Sequence, residues 1–330
     1  MKVYETTSLR PQCSPPMGSA HRAITIGNFD GCHVGHQKLI AVTKSLGTDM
    51  TPTSLSFSPH PSEVVGKISA NQPRLFTPSQ KMRAFEELGL KESIIQKFDL
   101  NFAEYSPTDF LTEYLKHSLS ARAVIVGDNF CFGKDRKGDV NWLAKAGADN
   151  DIQVRIVAPE EVDSSPVSSS RIKTELRAGR VERVSALLGR PYLLEGDLHS
   201  DQKIGRKIGS PTLNLKSINQ ILPKIGVYAG WISIRKNDKI STRPITKLDH
   251  DLMPAAINIG TRPTIDASNA TIHIEAHAID RQLSFDMDST TNIGLYFAGQ
   301  IRAQRTFESI DALRVQISAD VVKARRILNI

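Results

Sequence analysis

The residues best suited to chemistry are packed into one short stretch, ITIGNFDGCHVGHQKLI, at positions 24–40. Ile24, Thr25 and Ile26 read as the end of a buried strand, and Gly27-Asn28-Phe29-Asp30-Gly31 as a tight loop. Leu39, Ile40 and Thr43 then form one face of a helix beginning near His36. Strand, glycine-bearing loop and helix N-terminus together make an anion site, because free backbone N–H groups and the helix dipole converge there. His33 and His36 set two imidazoles at the same spot, the arrangement that nucleotidyl transfer needs. A zinc site is the competing reading, but no third ligand cluster follows at zinc-like spacing.

A second pattern lies far downstream. Ile272, Ile274, Ala276 and Ala278 alternate with His273, Glu275 and His277, so one strand carries an apolar side and a titratable side. Thr212 and Asn214, two apart on an extended chain, point a hydroxyl and a carboxamide the same way.

The elements that must position these groups divide in two. Before residue 190, strands alternate with helices. Strands are expected at 53–57, 93–98, 123–126 and 152–158, and residues 66–74 read as a mobile loop. Thr77-Pro78-Ser79-Gln80 has the cap, proline and glutamine of a helix start, running to Leu88 and stopping at Gly89. Ser106-Pro107-Thr108-Asp109 opens another helix ending near His117, and Asp139 caps one to about Ala146. This alternation predicts a doubly wound parallel sheet. Ligands of such sheets sit off the carboxyl ends of the strands, where the HVGH loop and Gly127-Asp128-Asn129-Phe130 both emerge.

Ser168 opens a helix reaching Gly179, and a short helix over 181–188 ends at Gly189. Arg190-Pro191-Tyr192 marks the boundary, giving domains 1–188 and 189–330. Strands at 193–198, 225–234, 255–259 and 272–278 then predict a small antiparallel barrel. A last helix is capped by Ser309, with Ile310, Leu313, Ile317, Ala324 and Leu328 as its apolar face.

Composition narrows the partners. The 330 residues suffice for two cores, and a net charge of +7 with scattered Lys and Arg suits phosphate-bearing small molecules as well as nucleic acid. The clustered basic and aromatic residues of a nucleic-acid reader are missing. Cys13, Cys32 and Cys131 form neither a CxxC pair nor a disulfide framework, which points to a reducing compartment. No apolar run approaches the ~20 residues that span a bilayer, and the N-terminus lacks the apolar core of a secretory signal, so a cytoplasmic location is expected.

From about Ala23 to Leu328 the chain resembles the bacterial bifunctional riboflavin kinase/FAD synthetases. The resemblance rests on the order and spacing of IGNFDGCHVGHQ, FSPHP, VGDNFCFGKDRKGD, VSSSRIK, LLGRPYLLEGD, GRKIGSPTLNL, GVYAG, NIGTRPT and the closing IRAQRTF. It implies a nucleotidyltransferase-like, Rossmann-like N-terminal domain that joins AMP from ATP to FMN. A barrel domain with a C-terminal helix would phosphorylate riboflavin. ATP and Mg²⁺ are the implied co-substrate and metal; riboflavin, FMN and ATP are the implied partners, with neither nucleic acid nor membrane. A monomer or weak homo-oligomer is expected.

The resemblance also assigns residues. At the adenylyl site His33 and His36 donate to the phosphates, while Gly27, Phe29, Gly31 and Gly35 form the nucleotide-binding loop. Asn129, Ser169, Ser170 and Arg171 are further phosphate ligands, and Phe57, Phe130 and Phe132 are candidates to stack on the flavin, with a core role the equal alternative for each. At the kinase site Gly205, Lys207 and Gly209 belong to the glycine-rich segment, and Thr212 and Asn214 share Mg²⁺ with the ATP phosphates. Glu275 takes the proton of the riboflavin hydroxyl, and Arg302 approaches the flavin and its phosphate.

Three positions depart from the pattern. Leu213 replaces an alanine, Pro166 stands where some relatives carry arginine, and Leu283-Ser284-Phe285 replaces a Leu-Tyr-Gly turn. Two alternatives stay open: an enzyme with only the adenylyl module active, and a non-catalytic flavin-binding regulator.

Overall fold

The computed structural model describes residues 1–6, 21–46, 49–69, 72–199, 212–216, 218–236, 248, 251–262, 271–280 and 291–330. They form two compact units, one of Met1–Gln72 with Lys81–Val167, the other of Pro73–Gln80 with Ser168–Ile330.

The first unit is built on six strands: β1 (Lys2–Thr6), β2 (Arg22–Ile26), β3 (Thr51–Ser58), β4 (Glu92–Lys97), β5 (Ala121–Gly127) and β6 (Gln153–Val157). They lie in the order β1-β4-β3-β2-β5-β6, all parallel, as expected for a doubly wound sheet. Every residue of β2 is buried, the mark of a central strand covered on both faces. On one face Ile24, Ile26, Leu55 and Val124 meet Phe110, Tyr114 and Leu143. On the other Ala23, Ala123 and Ile125 meet Leu39, Val42 and Leu46.

The helices follow their local signals. They are α1 (Val34–Ser45), α2 (Pro61–Val64), α3 (Pro78–Glu87), α4 (Leu100–Ala103), α5 (Pro107–Asp109) and α6 (Val140–Ala148), with α5 continuing as a π-helix over Phe110–Ser118. The start of α3 is a reciprocal capping box: Gln80 N–H donates to Thr77 Oγ1 (3.1 Å) and Thr77 N–H to Gln80 Oε1 (2.9 Å). Asp139 caps α6 by accepting from Trp142 N–H at 2.8 Å. A two-residue hairpin, β7 (Glu161–Val162) and β8 (Ser165–Pro166), closes the unit.

The second unit holds β9 (Tyr192–His199), β10 (Thr212–Lys216), β11 (Gly226–Lys236), β12 (Met253–Arg262), β13 (Thr271–Ala278) and β14 (Thr291–Arg302). They close into an antiparallel barrel ordered β10-β13-β12-β11-β14-β9. Helices α7 (Ser169–Arg177), α8 (Val181–Leu188) and α9 (Ile310–Leu328) belong to this unit. β1, the short β7 and β8, and β14 escaped the sequence reading, which gave of β10 only the extended chain at Thr212 and Asn214. The C-terminal helix is capped by Ser309 as expected, but Ile310 is 63% exposed, and the buried positions are Asp320, Ala324 and Leu328. The inward face of α9 therefore carries a carboxylate that apolar periodicity could not reveal. Ile272, on the same side as Ile274 by alternation, is nevertheless 48% exposed near the strand's end.

Two candidate active sites

The first site forms where the strand order reverses. β2 pairs with β3 on one side and β5 on the other, so the loops after β2 and β5 leave neighbouring parallel strands at the same edge. Such a switch point opens a crevice at the carboxyl ends of the strands. After β2 the backbone coils tightly: Phe29, Gly31 and Cys32 all have positive φ, of 54°, 82° and 41°. Two non-glycine residues held left-handed cost roughly 1–3 kcal/mol each, offset here by burial, since Phe29 and Cys32 are fully enclosed. The Phe29 ring meets Phe85 edge-on at 5.2 Å and His36 at 5.2 Å. Phe29 thus braces an imidazole through its side chain.

α1 begins earlier than the spacing predicts, with His33 as its N-cap. His33 Nδ1 accepts from the His36 N–H at 3.4 Å, which leaves Nε2 as the protonated nitrogen of a neutral ring. The two imidazoles stack, centroids 3.6 Å apart and planes within 18°. Burial first, then the adjacent His33 and the charge of Lys81, hold the His36 pKa well below 6.5. His36 is accordingly neutral at pH 7, with one N–H to donate, and its Nδ1 is buried without a hydrogen-bond partner among the described residues. Lys38, one turn into α1, pairs with Glu160 at 2.5 Å.

Asn28 reaches His60 of the FSPHP segment at 2.8 Å. His60 Nδ1 accepts from Ser62 N–H (3.0 Å), so Nε2 carries the ring proton and Asn28 must offer it the carboxamide oxygen. The other end of the Asn28 carboxamide is buried, with no hydrogen-bond partner among the described residues. The sequence reading passed over Asn28 and His60, although both lie in blocks it singled out.

The other expected residues of this site fall variously. Asn129 is exposed just past β5, in the turn closed by Phe130 N–H to Gly127 C=O at 3.1 Å. Phe57 and Phe130 are half-buried, Phe57 against Phe98 and Phe102 and Phe130 stacked on Phe132. Phe132 is instead a core residue, 7% exposed and wedged between Phe110 and Trp142, so its ring is spent on packing. Ser169, Ser170 and Arg171 form the first turn of α7, within the second unit, with Ser168 as the N-cap.

The second site lies on the barrel wall. Asn214 of β10 is the direct cross-strand partner of Glu275 on β13, and Glu275 is in turn the partner of Asn258 on β12. One step along, Thr212 pairs with His277. Directly opposed side chains stand on the same face with Cβ atoms about 5 Å apart. Leu213, Ile274, Ala276 and Ile257 point to the buried interior, leaving Thr212, Asn214, Asn258, Glu275 and His277 as a half-buried polar patch on the opposite face. Asn258 belongs to this row, and only strand register identifies it. The patch offers hydroxyl, carboxamide and carboxylate oxygens, the donor set a hard cation such as Mg²⁺ takes. Gly205, Lys207 and Gly209, like Leu283-Ser284-Phe285, lie outside the described residues.

Arg302, expected near the flavin, is engaged by α9. Its Nε donates to both carboxylate oxygens of Asp320 at 3.0 Å, Nη2 donates to Oδ2 at 2.8 Å, and Nη1 donates to the Ala303 carbonyl at 3.1 Å. With the guanidinium committed to α9, Arg302 is a strut between barrel and helix.

Comparison with known proteins agrees with this division. A family model described as FAD synthetase matches residues 17–171, and one described as riboflavin kinase matches residues 188–328. A bifunctional riboflavin kinase/FMN adenylyltransferase from Pseudomonas fluorescens is 31% identical over 91% of both chains. The Bacillus subtilis protein of the same description is 31% identical over 93% of this chain and 92% of its own. A crystal structure from Streptococcus pneumoniae, described as a macrolide-efflux protein, superposes over 97% of this chain and 98% of its own with a TM-score of 0.80; at 24% identity it speaks for the fold alone. With two matching modules in this order and full-length relatives on both sides, the chain belongs to the bifunctional riboflavin kinase/FMN adenylyltransferase family.

Proposed function

We propose that this chain makes flavin cofactors in two steps, phosphorylating riboflavin to FMN in its C-terminal module and adenylylating FMN to FAD in its N-terminal one. The carrying observation is that each unit holds its own phosphate-transfer constellation, a stacked imidazole pair at a helix N-terminus in one and an Asn–Glu–Asn row in the other. The functional boundary is placed near residue 188.

In the adenylyl step an oxygen of the FMN phosphate attacks the α-phosphorus of ATP, and the bond to the departing pyrophosphate breaks with its electron pair. The attacking phosphate is already ionised, so no base is needed. His33 and His36 donate hydrogen bonds to the oxygens on which charge accumulates, assisted by the amide groups that open α1. Neutral imidazoles suit this task, because they donate without surrendering a proton to the product. Gly27, Gly31 and Gly35 shape the loop, and Asn129 is a further phosphate ligand. Phe57 and Phe130 flank the flavin.

In the kinase step the riboflavin hydroxyl attacks the γ-phosphorus of ATP, its proton passes to Glu275, and ADP leaves. An alcohol, unlike a phosphate, needs such a base at neutral pH. Thr212 and Asn214 would hold Mg²⁺, which neutralises phosphate charge when bound. Gly205, Lys207 and Gly209 complete the nucleotide side. The chain works in the cytoplasm, as a monomer or weak homo-oligomer, on small molecules rather than nucleic acid. Among the described residues no helix is long and apolar enough to cross a membrane.

The test is direct. Purified full-length chain given riboflavin and ATP is expected to yield FMN and ADP, and given FMN and ATP to yield FAD and pyrophosphate. Flavin binding without turnover of either mixture would refute the proposal.

A further inference from the structure

The imidazole pair donates hydrogen bonds but brings no charge of its own, and two anions must meet beside it. Within the same unit a cation is held toward that spot by a helix not counted among the site's elements. Lys81, half-buried on α3, donates from Nζ to Ser56 Oγ at 3.3 Å. Ser56 is fully buried near the carboxyl end of β3, the strand beside β2, so the ammonium stands at the edge of the sheet from which the histidine loop departs.

The contact is not isolated. Phe85 lies four residues beyond Lys81 and so on the same face of α3. Its ring packs edge-on against Phe29, and Phe29 lies against His36. The helix that carries Lys81 is thereby keyed to the imidazoles through two aromatic contacts, and its charge is felt at His36. A lysine placed only for packing would spend its methylenes on this face and send its ammonium to solvent. Here the ammonium turns inward to a buried hydroxyl.

We propose that Lys81 is a further catalytic residue of adenylyl transfer, its ammonium meeting the oxygens of the reacting phosphates beside His33 and His36. The proposal rests on the adenylyl reading of that site. It adds a fixed positive charge where the attacking phosphate and the α-phosphate approach each other, a charge that grows in value as water is excluded.

The test uses the full-length chain with Lys81→Met, which keeps length and packing, and Lys81→Arg, which keeps charge. FAD formation by Lys81→Met is expected to fall roughly 100-fold in both kcat and kcat/KM, the signature of an interaction made in the transition state. Lys81→Arg should recover most of that loss. Riboflavin phosphorylation and the melting temperature should be unchanged in both variants. Lys81→Met retaining near-normal FAD formation would overturn the proposal, as would an equal loss in Lys81→Arg and Lys81→Met that tracks the fraction of unfolded protein. A wild-type chain that forms no FAD would instead refute the adenylyl reading.

Discussion

In the parallel-sheet unit the strands are buried and the side chains proposed to react stand beyond their ends. In the barrel the side chains proposed to react stand on the strands themselves. His33 and His36 owe their place to a loop with left-handed residues, a helix cap and an aromatic brace. Asn214, Glu275 and Asn258 owe theirs to hydrogen-bond register across three strands. The first kind of site is held by packing, and a cavity behind it would loosen it. The second is held by pairing, and a slip of one residue would turn the whole row to the other face. The chemistry differs to match. Adenylyl transfer asks for donors around phosphates, which loops and helix termini supply, whereas phosphorylation of an alcohol asks for a base at a set distance from its metal ligands.

The sharpest way to separate the two regions is Glu275→Gln. FMN formation should fall roughly 10³-fold, within the range for loss of a general base, while FAD formation from supplied FMN is unchanged. Kinase activity surviving in that variant would remove Glu275 as the base. The reciprocal change, His36→Ala, should lower FAD formation roughly 100-fold and leave riboflavin phosphorylation intact. Equal loss of both activities would dissolve the division between the units.

A smaller effect sharpens the barrel side. Asp320→Ala strands the Arg302 guanidinium, whose side chain is only 18% exposed, and should lower the barrel's unfolding free energy by about 3 kcal/mol in a denaturant titration. The double variant Arg302→Met with Asp320→Leu should regain stability and kinase activity together. Restored folding without kinase activity would return Arg302 to the flavin.

The mildest prediction concerns pH. The His36 pKa is depressed in the folded chain, so below about 6.5 the unfolded state binds the proton that the native state refuses. Stability of the first unit is therefore complete above that value and declines as pH falls below it. FAD formation, for which neutral His36 is the proposed donor, should stay level through the same range. His36→Gln should flatten the acid side of a melting-temperature profile; a profile identical to wild type would show that His36 does not carry this dependence.

Much of this was legible in the residues. The caps at Ser309, Asp139 and Thr77–Gln80 are local interactions spanning three residues, and each forms where its motif stands. The alternation around Glu275 is likewise a property of one strand. By contrast β1 is five residues at the chain's start whose role is to pair with β4, some ninety positions away, and nothing within it announces that partner. Arg302 and Phe132 look like ligands by type, and their contacts with Asp320, Phe110 and Trp142 arise only when distant segments arrive beside them. Asn258 and Lys81 were invisible for the opposite reason, being ordinary residues that long-range pairing and helix packing carry to Glu275 and to Ser56.

The amino-acid order by itself determined the two modules, their sequence along the chain, the parallel and antiparallel characters of their sheets, and the histidine pair at a helix start. Periodicity, capping and glycine placement are short-range, and short-range energetics can be read from neighbours. Which side chains face one another across strands, and which cations and carboxylates are drawn inward, was decided only in the folded chain. Those choices depend on register and burial among residues tens to hundreds of positions apart, where no single segment holds the information.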